Sequence, residues 1–106
     1  MVHDPERRAA RRIAFPCRVE CTPVGVTQSP VNPRISELSA TGAFVDTLVA
    51  LPRGAVVRLR FRLPSGEISC SGEVVHDMPQ FGMGIKFVGL TPQARGRIEQ
   101  LVHERD

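Results

Sequence analysis

Apolar and polar residues alternate most cleanly from Val56 to Leu63, where Val57, Leu59, Phe61 and Leu63 take every second position and Arg58, Arg60 and Arg62 stand between them. A period of two is that of a strand with one buried and one solvated face. The turn Pro64-Ser65-Gly66 follows, and a return strand from Glu67 to His76 places Ile68, Cys70, Gly72 and Val74 on one side and Glu67, Ser69, Ser71 and Glu73 on the other. Its glutamates can then face the arginines of its hairpin partner. Shorter alternations predict strands at Pro16 to Thr22, Arg34 to Leu38, Ala43 to Thr47 and Phe81 to Phe87. On the first of these, Cys17, Val19 and Cys21 share a face and read as a buried stripe. At Thr91-Pro92 the period changes. A hydroxyl able to cap free N–H groups precedes a proline suited to a first helical turn, and Ala94, Ile98, Leu101 and Val102 fall at helical spacing. The expected fold is mainly β: six antiparallel strands, whose open edges are best satisfied by closing into a barrel, with a C-terminal helix covering an open side or end. Residues 1–12 are too polar to join the core and are expected to form a flexible basic arm, with one helical turn begun by Asp4 and Pro5, ahead of a barrel-and-helix domain over 13–106.

Composition narrows the function. At 106 residues the chain suits one domain, and a hydrophobic fraction of 42% beside 24% charged residues suits a folded one. Nothing approaches the ~20 apolar residues of a membrane span, and MVHDPERR lacks the apolar core of a secretion signal, so no membrane insertion and a cytoplasmic location are expected. The three cysteines, Cys17, Cys21 and Cys70, form no disulfide framework and no zinc-ligand spacing, and are read as core thiols with no metal. Net charge is +3, and 13 of the 14 basic residues are arginine, Lys86 being the exception. Arginine-rich usage favours planar, bidentate contacts to phosphate or guanine edges.

Catalysis finds little support. His3 and His103 lie near the chain ends and His76 enters a turn; no nucleophile elbow, zinc-binding helix motif or phosphate-cradling glycine loop is present. The expected role is binding, not enzymatic. Two places concentrate polar chemistry. Arg7, Arg8, Arg11 and Arg12 lie within six residues, and both Arg8–Arg12 and Arg7–Arg11 have the R-x-x-x-R spacing that lets two guanidinium groups converge on one anion. The segment Glu37-Leu38-Ser39-Ala40-Thr41-Gly42 puts a carboxylate, hydroxyls and a glycine on a turn between two predicted strands.

With Gly82-Met83-Gly84-Ile85-Lys86-Phe87 and the helix opened by Thr91-Pro92, these motifs stand in the order and at the distances of the PilZ domain family, which the chain resembles over nearly its whole length. The resemblance implies a six-stranded barrel that receives cyclic di-GMP, a bacterial second messenger. Arg8 and Arg12 would be the main clamps, because Arg12-Ile13 resembles the Arg-Val that enters the family's first strand, although the Arg7–Arg11 register has the same spacing. Ser39 and Gly42 would contact the guanine from the barrel side, and Arg7 would supply a third cation suited to a stacked ligand dimer. Glu37 stands where the family has Asp or Asn; the extra methylene is expected to cost about 0.5 to 1.5 kcal/mol, roughly tenfold in affinity. The implied protein is an adaptor without cofactors whose arm closes over ligand and which signals in trans to an unknown partner. The alternatives are a PilZ-like interaction module that has lost ligand binding, and a nucleic-acid-binding barrel. The last is disfavoured because no Trp or Tyr and only five Phe are present to stack on bases. Gly82, Gly84 and Phe87 read as barrel-wall residues, and Arg58, Arg60 and Arg62 as partners for Glu67 or Glu73.

Overall fold

The computed structural model describes residues 11–25 and 29–105. Six strands, β1 (Ile13–Pro23), β2 (Arg34–Leu38), β3 (Gly42–Asp46), β4 (Val56–Leu63), β5 (Gly66–Met78) and β6 (Gly82–Val88), precede one helix, α1 (Pro92–Arg105). All pairings are antiparallel, and the order β1-β2-β3-β6-β5-β4 closes on itself. The expected barrel and helix are therefore present; the expected arm lies outside the described residues apart from Arg11 and Arg12.

Closure depends on β1. From Ile13 to Arg18 it pairs with β2, and from Val19 to Pro23 with β4, so one strand joins both edges of the sheet. It starts three residues earlier than alternation from Pro16 suggests, because Ile13 and Phe15 also point inward, at 8% and 7% exposure. Pro16, which has no N–H to donate, sits where the β1–β2 register shifts between Ala14 and Cys17. The predicted stripe is kept at Val19 and Cys21, whereas Cys17, beside that irregularity, is only half-buried. Phe81 and Thr47 also fall outside the strands expected to contain them. Phe81 is at the β5–β6 tip, 70% exposed. Thr47 is buried and clamps the β1–β2 loop, its hydroxyl donating to the Val31 carbonyl at 2.9 Å and accepting from the Val31 N–H at 3.1 Å.

The interior is filled by side chains from every strand, including Ile35, Leu38, Val45, Val57, Ile68 and Met83. A barrel this small is a packed core and not a vessel. Thr91 caps α1 by accepting the Ala94 N–H at 3.1 Å. Ala94, Ile98, Leu101 and Val102 join the core, while Arg97 donates to the Ser65 hydroxyl and the Glu67 carbonyl, both at 3.1 Å. At its other terminus the helix lays Arg105 over the Phe15 ring, 5.2 Å from the centroid. It thus closes the barrel end where β1 begins, β2 ends and β3 begins, an end defined by the pairs Ile13–Leu38 and Leu38–Ala43.

Candidate ligand-binding face

Outside the helix-covered end, the root of the arm meets the β2–β3 turn. Pairing of Ile13 with Leu38 and Ala14 with Glu37 brings Arg12 alongside the turn, and its Nη1 lies 3.5 Å from Glu37 Oε1. Both side chains are half or more exposed, at 67% and 50%. An exposed pair of this kind contributes at most about 1 kcal/mol, so it leaves both groups available to a competing ligand.

Ser39 is only 4% exposed. Its hydroxyl accepts the N–H groups of Thr41 at 3.2 Å and Gly42 at 3.1 Å, and it lies 3.1 Å from the Thr41 hydroxyl. With the Ser39 N–H donating to the Gly42 carbonyl at 2.9 Å, the turn is held from within by the serine. Gly42 has a different task. A Cβ there would stand 2.2 Å from the Ile85 carbonyl oxygen, so the β3–β6 approach at this point excludes any side chain. The groups the turn turns outward are the carboxylate of Glu37 and the exposed Thr41, whose carbonyl accepts the Phe87 N–H at 2.8 Å.

Of the residues singled out in the sequence, Arg12, Glu37, Ser39 and Gly42 gather at one end of the barrel; Arg7 and Arg8 lie outside the described residues. Two neighbours escaped sequence reasoning. Thr41 occupies an unspecified position of the turn motif. Lys86, exposed and paired with Gly42 across β3–β6, brings a further cation beside the turn. The positively charged place in the Gly-Met-Gly-Ile-Lys-Phe segment was its only signal. Glu67 meets Arg60 at 3.3 Å as the charge pattern suggested, but Glu73 faces Val56 and has no arginine opposite.

The thiols lie elsewhere, Cys21 buried and Cys17 and Cys70 half-buried. Burial pushes Cys21 and Cys70 up to about 11 from 9.0, and raises Cys17 against the opposing pull of Arg34. Among the described residues no group of three or more His, Cys, Asp or Glu could hold a metal. Two units of pKa lower the thiolate fraction at pH 8 on the order of a hundredfold, so iodoacetamide should label Cys21 and Cys70 roughly tenfold or more slowly than in the same chain in urea. Equal rates would mean that the core admits solvent.

A closed barrel filled by its own side chains has no interior to offer, and the cations, the carboxylate and the self-ordered turn lie outside one end. A PilZ domain family model matches residues 6–104, and the chain belongs to that family. It is a cyclic di-GMP receptor family whose domains are binding and adaptor modules, not enzymes. The barrel is similar to that of the Bacillus subtilis inhibitor of motility MotI/DgrA (TM-score 0.77, 19% identity, 93% of this chain and 51% of that one). It is also similar to the PilZ domain of CeSA from a cellulose-synthesizing bacterium (TM-score 0.64, 20% identity, 88% of this chain and 95% of that one). The chain thus spans about half of the MotI/DgrA structure, and at these identities the likeness concerns the fold. A search of curated proteins gives no match. No helix among the described residues is long and apolar enough to cross a membrane.

Proposed function

We propose that this chain is a cyclic di-GMP receptor that takes the nucleotide between its N-terminal arm and the β2–β3 turn and signals in trans to a protein partner. The observation that carries the reading is the Arg12–Glu37 contact, because it brings the last arginine of the arm within 3.5 Å of the turn. In this reading Arg8 and Arg12 clamp phosphates and guanine edges through paired N–H donors. Arg7 adds a cation for a second, stacked nucleotide. Glu37 accepts guanine N–H groups. Ser39 acts by ordering the turn, and Gly42 by letting β3 lie close enough to β6 to present it. Ligand draws the arm over the barrel and creates a surface that the partner reads. As a receptor for an internal messenger, the protein works in the cytoplasm.

Calorimetry on the full chain tests this. Titration with cyclic di-GMP should give micromolar or tighter binding that Arg8→Ala abolishes. Absence of heat from a folded chain would instead favour a PilZ barrel that serves only as an interaction module. Glu37 is the specific observation behind that second reading, since it is longer than the family's Asp or Asn and already engaged with Arg12. The same residue supplies a graded check. Glu37→Asp withdraws the carboxylate from Arg12 and removes one rotatable bond, so affinity should rise by up to about tenfold. Unchanged or weaker binding would mean that the glutamate is already well placed for guanine.

A further inference from the structure

A groove of about 690 Å³ runs along the outer wall between Arg18 and Glu20 of β1, Arg34 of β2, Arg60 and Arg62 of β4, and Glu67 of β5. Its cause is the change of partner in β1. The strand pairs with β2 as far as Arg18 and with β4 only from Val19 onward, so the wall opens where β4 parts from β1. At this point Arg18 is directly opposite Arg34. One step beyond the last β1–β4 pair, Val19–Phe61, stands Arg62. Three guanidinium side chains from three strands therefore border one opening, spanning roughly 10 Å at ordinary strand spacing.

The barrel does not neutralise them. Glu67 is directly opposite Arg62, yet its carboxylate goes to Arg60 Nε at 3.3 Å. Glu20 goes to Arg60 as well, at 2.6 Å. One arginine thus takes both carboxylates, and none of the ion pairs among the described residues uses Arg18, Arg34 or Arg62. Like charges directly opposite on neighbouring strands are destabilising. A fold that keeps such a row exposed, with its carboxylates committed elsewhere, is complementary to an external polyanion.

We propose that this groove is a docking site for an extended, carboxylate-rich segment of a partner protein, laid across Arg34, Arg18 and Arg62. An acidic peptide fits better than nucleic acid. The one aromatic among the groove residues, Phe61, is 3% exposed and stacks on Phe87 inside the barrel, so bases find no platform. The site is also separate from the proposed nucleotide face: Arg18 is six residues beyond Arg12, roughly 20 Å along a strand. It does not depend on whether the arm holds cyclic di-GMP.

The test uses a fluorescein-labelled decaglutamate peptide and the full chain in 50 mM salt, read by anisotropy, with labelled dT10 in parallel. Arg18→Ala combined with Arg34→Ala should weaken the peptide at least tenfold and leave any cyclic di-GMP affinity unchanged, whereas the charge-matched pair Arg53→Ala with Arg95→Ala should not weaken it. Arg18→Ala alone should leave the melting temperature equal or higher, as relief of an unbalanced row requires. The proposal is overturned by absence of peptide binding, by equal loss in the two double variants, by loss confined to Arg8→Ala with Arg12→Ala, by tighter binding of dT10, or by a lower melting temperature for Arg18→Ala.

Discussion

Replacing Gly42 by alanine is expected to lower the free energy of unfolding by about 3 kcal/mol or more, a large share of the ~5 to 15 kcal/mol that a domain of this size possesses. The added methyl would stand 2.2 Å from the Ile85 carbonyl oxygen and 3.3 Å from the Lys86 Cα, both main-chain atoms of β6. Backbone cannot rotate aside as a side chain can. β6 is hydrogen-bonded to β3 on one side and to β5 on the other, so retreat from Gly42 also strains the Gly72–Phe87 and Val74–Ile85 pairings. Alanine does restrict the unfolded chain, a gain of only about 0.4 to 1 kcal/mol, so the clash decides the sign. Gly84→Ala is the control. There the nearest atom is His76 Cδ2 at 3.3 Å, part of an exposed side chain that can swing away, and the change should be within about 1 kcal/mol of neutral. Urea denaturation of both variants checks the contrast, and similar midpoints would show that β6 yields at Gly42. Because Gly42 also belongs to the turn motif, loss of ligand binding in Gly42→Ala is expected from barrel distortion alone and would not make it a ligand contact.

That distinction bears on what the sequence could and could not convey. Strand β4 was legible because its buried positions, Val57, Leu59, Phe61 and Leu63, obey a period of two without interruption. β1 was legible only from Pro16 onward. A proline in fourth place, straight after the inward-facing Ile13 and Phe15, resembles a boundary, and here it occupies a register irregularity within a continuous strand. Phe81 resembled a strand residue by hydrophobicity alone. Gln80, with φ of 72°, turns the chain just before it and leaves it at the tip. Strand order escapes periodicity altogether, since nothing local states that β3 neighbours β6.

Within the β2–β3 turn, sequence spacing names the residues but not what each side chain touches. Ser39 and Gly42 attract attention as polar and flexible residues facing a ligand; their burial and contacts make one the internal brace of the turn and the other the point of closest strand approach. A residue that shapes a site and one that touches its ligand have the same sequence signature. Likewise Arg58, Arg60 and Arg62 look equivalent on β4, but only Arg60 lies within reach of both Glu20 and Glu67. The groove arises from how unevenly those two carboxylates are shared.

Arg12→Ala is the counterpart to Gly42→Ala: little change in stability with a large loss of ligand. Among the described residues Arg12 makes one exposed contact, 3.5 Å to Glu37, so its removal should cost below about 1 kcal/mol of stability. Against cyclic di-GMP, the same guanidinium can offer two parallel charge-assisted hydrogen bonds, each about 1.5 to 3 kcal/mol. Their sum exceeds the pair with Glu37 severalfold, enough for a bound nucleotide to draw the side chain from its own barrel. Affinity should fall at least a hundredfold while the urea midpoint barely moves. Arg12→Lys retains the charge but loses the planar fork, and should recover only part of the loss. Calorimetry and urea denaturation on the three proteins separate the possibilities. Full rescue by lysine would reduce Arg12 to a point charge, and parallel loss of stability and affinity would make it a structural residue; either result removes the clamp on which the nucleotide reading rests.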